Sequence, residues 1–392
     1  MKSIGSNRTI KALIARGLDS KLAIDLYQKG YTLNKLKCTP IAELSNLGII
    51  NEVAIRIHKE SRAPIPFNTV NKLLFDSRYT CCVCRDKSRP IVIHHIIPWE
   101  ESRSDDIENL VVLCQKHHDD AHTKHDLSIN LTSNKIVELK KEWNSKVREL
   151  DKDVVLKSME PKEWYEAMSM CWDYFNVTRI YELAENLGID MVDGNKYFLS
   201  LYRQGYVDKN GMLLANEISK QVAADSLYWL DFMGGTYISF FFKEILKMII
   251  DSREVLILND LWTKPQIMSV VKPGAILFLQ GAFYFRHLSK EHRGKNQNRI
   301  GYRQAKGIKL EFQFNPWHCV SGSSHYNHLT GRRVATVIGI ARAVTNVNGQ
   351  VNIRCSVLGI GTGFDNVING RFAFYSPTDF EDYEEDELYI EI

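Results

Sequence analysis

Residues 81–122 constrain this chain more than any other stretch. They hold four of its eight cysteines and five of its twelve histidines. In order they read Cys81-Cys82-Val83-Cys84, Ile93-His94-His95-Ile96-Ile97-Pro98, Asn109-Leu110-Val111-Val112-Leu113-Cys114-Gln115-Lys116-His117-His118, and then His122. Cys81 and Cys84 form a C-x2-C hook, and Cys114 with His117 forms a second hook of the same span. Two soft-ligand hooks separated by a loop suit a closed tetrahedral Zn2+ site. His94, His95, His118 and His122 remain. On a helix, His118 and His122 share one face because they lie four apart. On a strand, His94 and His95 point to opposite faces, so one can bind a metal while the other faces a substrate. A purely structural zinc module needs four ligands and leaves these four histidines without a role.

The ordered elements C-x2-C, H-H-I-x-P and N-L-x-x-L-C-x-x-H-H-x-x-x-H resemble the HNH (ββα-metal) endonuclease motif over roughly residues 75–150. The resemblance implies that His95 is the general base and that His94, His118 and His122 hold a catalytic divalent cation. Mg2+ or Mn2+ is expected there, and an all-histidine set also admits Ni2+ or Zn2+. It further implies that Asn109 braces the ββα loop and orients His95, and that Cys81, Cys84, Cys114 and His117 form a structural Zn2+ knuckle. The sequence departs from the family twice. The fourth knuckle position is usually Cys and here is His117, and Cys82 adds a thiol beside the hook, so the choice of ligand stays open. The implied chemistry is hydrolysis of DNA phosphodiester bonds. Its transition state needs a cation at the phosphate oxygens, and a neutral imidazole can take a proton from water near neutral pH.

With 392 residues, two or three domains are expected. A hydrophobic content of 44% and a charged content of 25% are ordinary for a globular protein. The formal net charge of +3 is too mild to indicate nucleic-acid binding by itself, so any basic surface must be local. The polar opening Met1-Lys2-Ser3-Ile4-Gly5 lacks the apolar run of a signal peptide. The apolar run 237–250 is broken by Lys243, Glu244 and Lys247, which argues against a membrane span. Cysteines in a metal pattern suit a reducing compartment, so the cytoplasm is expected.

The expected fold class is α+β multidomain, in five segments. Residues 1–62 read as helical. Ile10, Leu13, Leu22, Ala23, Leu26, Ile41, Leu44 and Leu47 recur at helical spacing, and Gly17, Gly30 and Gly48 stand where helices should stop. Residues 41–49, followed by Ala54 and Ile57, resemble a helix-hairpin-helix, whose turn amides meet a DNA phosphate without reading sequence. Asn51 stands near the position of the second hairpin glycine, and plain helical packing or protein docking is the alternative. Pro64 and Pro66 mark a linker. Residues 67–151 form the nuclease segment, closing on an amphipathic helix with Ile136, Leu139, Trp143 and Val147. Residues 160–215 read as a winged helix, with Thr178 as a helix cap, Gly188 as a stop and Asn210-Gly211 as a hairpin turn. Such a module contacts either DNA or protein.

Residues 216–378 read as a β-rich recognition or regulatory domain. A helical stretch over 216–250 precedes strands at 255–258, 275–285, 309–314, 333–344 and 351–359, which suggest a small barrel or sandwich. The segment 286–309 concentrates Arg and Lys and reads as a basic loop that grips a phosphate backbone, chiefly through Arg293, Lys295, Arg299 and Arg303. The 379–392 tail is acidic and can compete with nucleic acid for that surface. His318, His325 and His328 near Cys319 match no ligand spacing and read as turn or surface groups. The glycine-rich 359–363 segment lacks a P-loop Lys-Ser/Thr and reads as a turn.

The leading expectation is a metal-dependent HNH endonuclease that cuts DNA, with a layout like bacterial restriction or anti-phage nucleases. A double-strand cut by one small site would suit a homodimer. The alternative is an effector subunit whose carboxy-terminal half docks an activating protein or ligand, for example a short Argonaute, that licenses cleavage. A non-catalytic nucleic-acid-binding protein is the third reading.

Overall fold

The computed structural model describes residues 9–10, 13, 16–59, 65–123, 131–160, 171–214, 232–288, 298–320 and 324–362. The chain divides into two units, residues 1–145 and 146–392.

The first unit opens with α1 (Ser20–Gln28), α2 (Leu33–Lys37), α3 (Ile41–Asn46) and α4 (Asn51–Lys59). Asp19 caps α1 by accepting from the Lys21 and Leu22 amides, and Thr32 caps α2 by accepting from Lys35. Gly30 and Gly48 follow α1 and α3 with φ of 78° and 84°. These left-handed values end a helix at no Cβ cost. Two helix-glycine-helix pairs result, and they bury Leu26, Leu36, Leu44, Val53 and Ile57 in one core.

After α5 (Phe67–Asp76) come β1 (Ile91–His95), α6 (Trp99–Ser102), β2 (Leu110–Cys114) and α7 (Gln115–His122). β1 and β2 are antiparallel, with Ile91 opposite Cys114 and His95 opposite Leu110. α7 follows β2 without a loop, so two strands and one helix form a ββα unit. Leu110 and Val112 of β2 pack on Leu73 of α5. On α8 (Ser133–Ser158), Ile136 and Trp143 are buried, and Trp143 Nε1 donates to the Ser77 carbonyl at 2.8 Å.

The second unit contains β3 (Cys171–Phe175), α9 (Val177–Leu187), α10 (Phe198–Arg203), α11 (Phe232–Asp251), β4 (Val255–Ile257) and α12 (Lys264–Val270). Next come β5 (Ile276–His287), β6 (Arg299–Ala305), β7 (Ile308–Phe314), β8 (Gly331–Val347) and β9 (Gln350–Thr362). β5 pairs with β6, β6 with β7, β7 with β9, β9 with β8, and β8 with β5. The five strands therefore close into a barrel. Only β7 and β9 run parallel among these pairs. This connectivity is that of an OB-type barrel. β4 adds to β5 and β3 adds to β9.

Phe283, Phe285, Leu310, Phe312 and Phe314 fill the barrel interior. The opposite side of the early β5 residues, Ile276 and Phe278, joins a helical core with Ile180, Phe241, Phe242 and Leu246.

Three expectations change in this unit. Residues 299–305 are strand β6 rather than part of a loop. Asn176, not Thr178, caps α9 by accepting from the Arg179 amide. The 171–214 stretch is tied to the barrel through the β3–β9 pairing, and its expected wing is a single bridge between Val207 and Leu213. The acidic tail, and most of the basic segment before β6, lie outside the described residues. Among the described residues, no helix is long and apolar enough to cross a membrane.

Candidate functional site

The ββα unit and the hook that precedes it bring seven of the nine cysteines and histidines of the 81–122 window into two clusters. In the first, Cys81 Sγ lies 3.4 Å and Cys114 Sγ 3.2 Å from His117 Nδ1, and the Cys84 and Cys114 sulfurs are 3.8 Å apart. Tetrahedral bonds of about 2.3 Å from a Zn2+ ion to sulfur imply sulfur–sulfur edges of about 3.8 Å. The donor set and its spacing therefore fit a structural Zn2+ ion, with His117 as the fourth ligand.

The backbone explains why the hooks meet. The Cys82 amide donates to the Val112 carbonyl at 3.2 Å, which fastens the first hook to β2. Cys114 ends β2 and His117 lies in the first turn of α7. Burial raises the Cys114 thiol, but donors from the His117 amide, Cys84, Cys81 and Arg89 outweigh it and hold the group below the ordinary thiol range. That favours the thiolate a metal needs. Cys82 stays outside the four-residue cluster. Burial first, then the neighbouring Cys81, pushes its thiol up to about 12, so it remains protonated.

In the second cluster, His94, His118 and His122 converge with their ligand atoms within 4.8 Å of one another. The ring centroids are 5.3 Å apart for His94 and His118, 4.9 Å for His94 and His122, and 4.7 Å for His118 and His122. The i, i+4 spacing on α7 aims the last two at the strand residue His94. Burial, followed by the nearby His122 and His118, lowers His94 to about 4. Its ring is therefore neutral at physiological pH, as a ligand must be. Three imidazoles converging on one point fit a divalent transition-metal ion.

His95, the next residue on β1, is held elsewhere. Its Nε2 lies 2.9 Å from Asp105 Oδ1. Asp105 stands in the loop between β1 and β2, and Asn109 clamps that loop. The Asn109 amide nitrogen donates to the Ile97 carbonyl, Ser102 Oγ and the Ser104 carbonyl at 3.1, 3.0 and 3.2 Å, while its Oδ1 accepts from the Ile97 amide at 2.8 Å. Ser133 of α8 closes the same loop by donating to the Ile96 carbonyl at 2.9 Å. Asn109 thus shapes the loop, and it is Asp105 that meets the His95 ring. Sequence reasoning missed Asp105. The available signal was an acidic pair, Asp105-Asp106, in the short loop after a histidine read as a base.

Residues 81–124 match the family model for HNH endonuclease. The window is an HNH endonuclease domain. No curated protein and no solved structure matches the chain. A nuclease activity is thus supported for the HNH domain, and its cysteine–histidine cluster fits a zinc knuckle.

Of the four residues expected to form the basic grip, two are described, and both turn into the barrel rather than out to solvent. Arg293 and Lys295 lie outside the described residues. Arg299 is only 5% exposed and donates to the Leu329 carbonyl at 3.2 Å. Arg303 donates to the Ala282 carbonyl at 3.1 Å and stands 5.6 Å from the Trp262 ring centroid. Strand alternation is the reason: residues 299, 301 and 303 of β6 face inward. His318, His325 and His328 do not gather as a metal site among the described side chains, which do not include that of His325. His328 Nδ1 instead lies 2.7 Å from Asp173 Oδ1, which also accepts from Ser324 Oγ at 2.7 Å.

Proposed function

We propose that this chain is a metal-dependent endonuclease that hydrolyses DNA phosphodiester bonds. The observation that carries the reading is one short strand with two histidines in different roles. His94 turns to His118 and His122, while the adjacent His95 is held by Asp105. His94, His118 and His122 would hold the divalent cation, which supplies positive charge to the phosphate oxygens as the transition state forms.

The chain's own residues supply the proton chemistry. With Nε2–H donating to Asp105, the His95 Nδ1 is the basic nitrogen, and it takes a proton from the attacking water. The water oxygen bonds to phosphorus as the bond to the leaving sugar oxygen breaks. Asp105 stabilises the imidazolium that results, and Asn109 keeps the loop that carries Asp105 in shape. The knuckle of Cys81, Cys84, Cys114 and His117 fixes the start of α7 and thereby aims His118 and His122. Mg2+ or Mn2+ is the expected activator, and the imidazole set also suits Ni2+ or Zn2+.

The setting we propose is bacterial restriction or anti-phage defence in the cytoplasm, where a small nuclease module works beside a larger recognition or regulatory unit. The test compares the wild-type chain with His95→Ala on plasmid DNA over Mg2+, Mn2+, Ni2+ and Zn2+. Cutting by the wild type and a loss of about 10²–10⁴ in rate for the variant support the reading. Equal cutting by both chains sinks it.

A further inference from the structure

Side-chain alternation along β5, β6 and β7 gives the barrel a second surface with its own chemistry. Phe283, Phe285 and Phe312 point inward and are buried. On the outer face, the strand register aligns Arg332, Tyr284, Tyr302, Glu311 and Arg354 in one row across β8, β5, β6, β7 and β9. Adjacent rows add Arg286, opposite Ile300, and Lys309, opposite Gln304.

The two tyrosines form a platform. Their rings stack with centroids 5.4 Å apart and planes 18° apart. Arg286 Cζ stands 5.3 Å and Lys309 Nζ 5.5 Å from the Tyr302 centroid. Arg286, Arg332 and Arg354 are exposed, and both tyrosines are half-exposed. Within the row and its neighbours Lys309 pairs with Glu311 at 2.5 Å, and Arg286, Arg332 and Arg354 carry the remaining positive charge. Over the whole chain the balance is nearly even, 50 basic to 47 acidic residues. A cross-strand tyrosine pair can serve the sheet alone. Here the pair has three water-exposed arginines on the same and neighbouring rows.

We propose that this outer barrel face binds single-stranded nucleic acid. Bases lie against the Tyr284–Tyr302 platform, and the phosphate backbone runs past Arg286 and Arg332 and around the barrel toward Arg354. The rings require an unpaired strand, because a duplex hides its base faces in its own stack. Stacking on aromatics accepts any base, so this site holds a strand without reading its sequence. None of the HNH cysteines or histidines belongs to this face, so the inference stands even if the nuclease reading fails.

The test is fluorescence anisotropy on the full chain carrying His95→Ala, so that bound strands stay intact. The probes are labelled oligothymidylate, oligouridylate and a DNA duplex. Single strands bind more tightly than the duplex, and comparing the two homopolymers tells DNA from RNA. Tyr284→Ala with Tyr302→Ala weakens single-strand binding by about tenfold or more. Tyr302→Phe keeps the affinity because the ring remains. Arg354→Glu lowers the affinity and flattens its logarithmic salt dependence by about 0.7 for each phosphate that is no longer neutralised. The proposal is overturned by a folded double-alanine variant that binds like its parent, by a duplex that binds as well as the single strands, or by Tyr302→Phe behaving like alanine. Should the double-alanine variant fail to fold, Arg354→Glu decides, since its side chain is exposed; unchanged affinity and salt slope then overturn it.

Discussion

His95 Nε2 and Asp105 Oδ1 stand 2.9 Å apart, with side-chain exposures of only 9% and 10%. The low exposure matters, because a carboxylate shielded from water holds a ring far better than a solvated one. Asp105→Ala is expected to lower the cleavage rate by about 10–100-fold, the range typical of a group that orients a working histidine. Asp105→Asn retains a neutral partner but can set the wrong ring tautomer, so it is expected to fall below wild type as well. Single-turnover rates at saturating DNA are the measurement. A rate unchanged in Asp105→Ala would remove this residue from the mechanism.

The two clusters should separate by metal content. Cys84→Ser removes one of four ligands from the knuckle, so the purified variant is expected to lose the tightly held zinc and to melt at lower temperature, because binding energy at such sites is folding energy. His117→Cys restores the family's usual ligand and should keep that zinc. His118→Ala should also keep the knuckle zinc while losing cleavage. Elemental analysis after dialysis, paired with a plasmid assay, distinguishes these outcomes. Zinc retained in full by Cys84→Ser would argue that the sulfur cluster is not a metal site.

The parts legible from sequence are those where chemistry demands a residue type at a fixed spacing. Cys81, Cys84, Cys114 and His117 announced themselves this way, and so did His118 and His122 at helical spacing. Gly30 and Gly48 were legible because a left-handed helix end favours glycine. Asp105 was not legible, since its loop is shaped by Asn109 and carries no periodicity. β6 was hidden by its own charge. Arg299 and Arg303 face inward and Tyr302 outward, which inverts the usual alternation and reads as a basic loop. Barrel closure was equally silent, because the β7–β9 and β5–β8 pairings join strands far apart in the chain.

Gly339 tests the barrel wall. A Cβ built there would meet Cys355 Sγ and would come within 2.8 Å of the Ser356 carbonyl oxygen and 3.2 Å of Val357 Cα. Two of these neighbours are backbone of the paired strand β9, where β8 carries a register shift between Ile338 and Gly339. Moving the Cys355 thiol would not relieve the backbone contacts, so Gly339→Ala should destabilise the second unit by about 1–3 kcal/mol. Chemical denaturation followed by tryptophan fluorescence measures this, and zinc content should stay unchanged. A midpoint equal to wild type would show that the strand pair can open at no cost.

The His328–Asp173 contact predicts a pH signature in stability. The hydrogen bond that His328 donates to the Asp173 carboxylate comes first in raising His328 above its ordinary value, and burial only partly offsets it. A histidine raised in the folded state binds its proton more tightly there than in the unfolded chain. Its stabilisation is therefore complete below the unfolded value of about 6.5 and fades as pH climbs through the folded value. Burial acts oppositely on His94 and His58, both lowered in the folded state, so their contribution is lost as the solution is acidified. The raw melting curve of the chain mixes these effects, and only a difference isolates one. Wild type should melt above His328→Gln at about pH 5.5, and the gap should narrow steadily toward about pH 8.5. A gap of constant size across that range would mean that His328 is held for its shape rather than its charge.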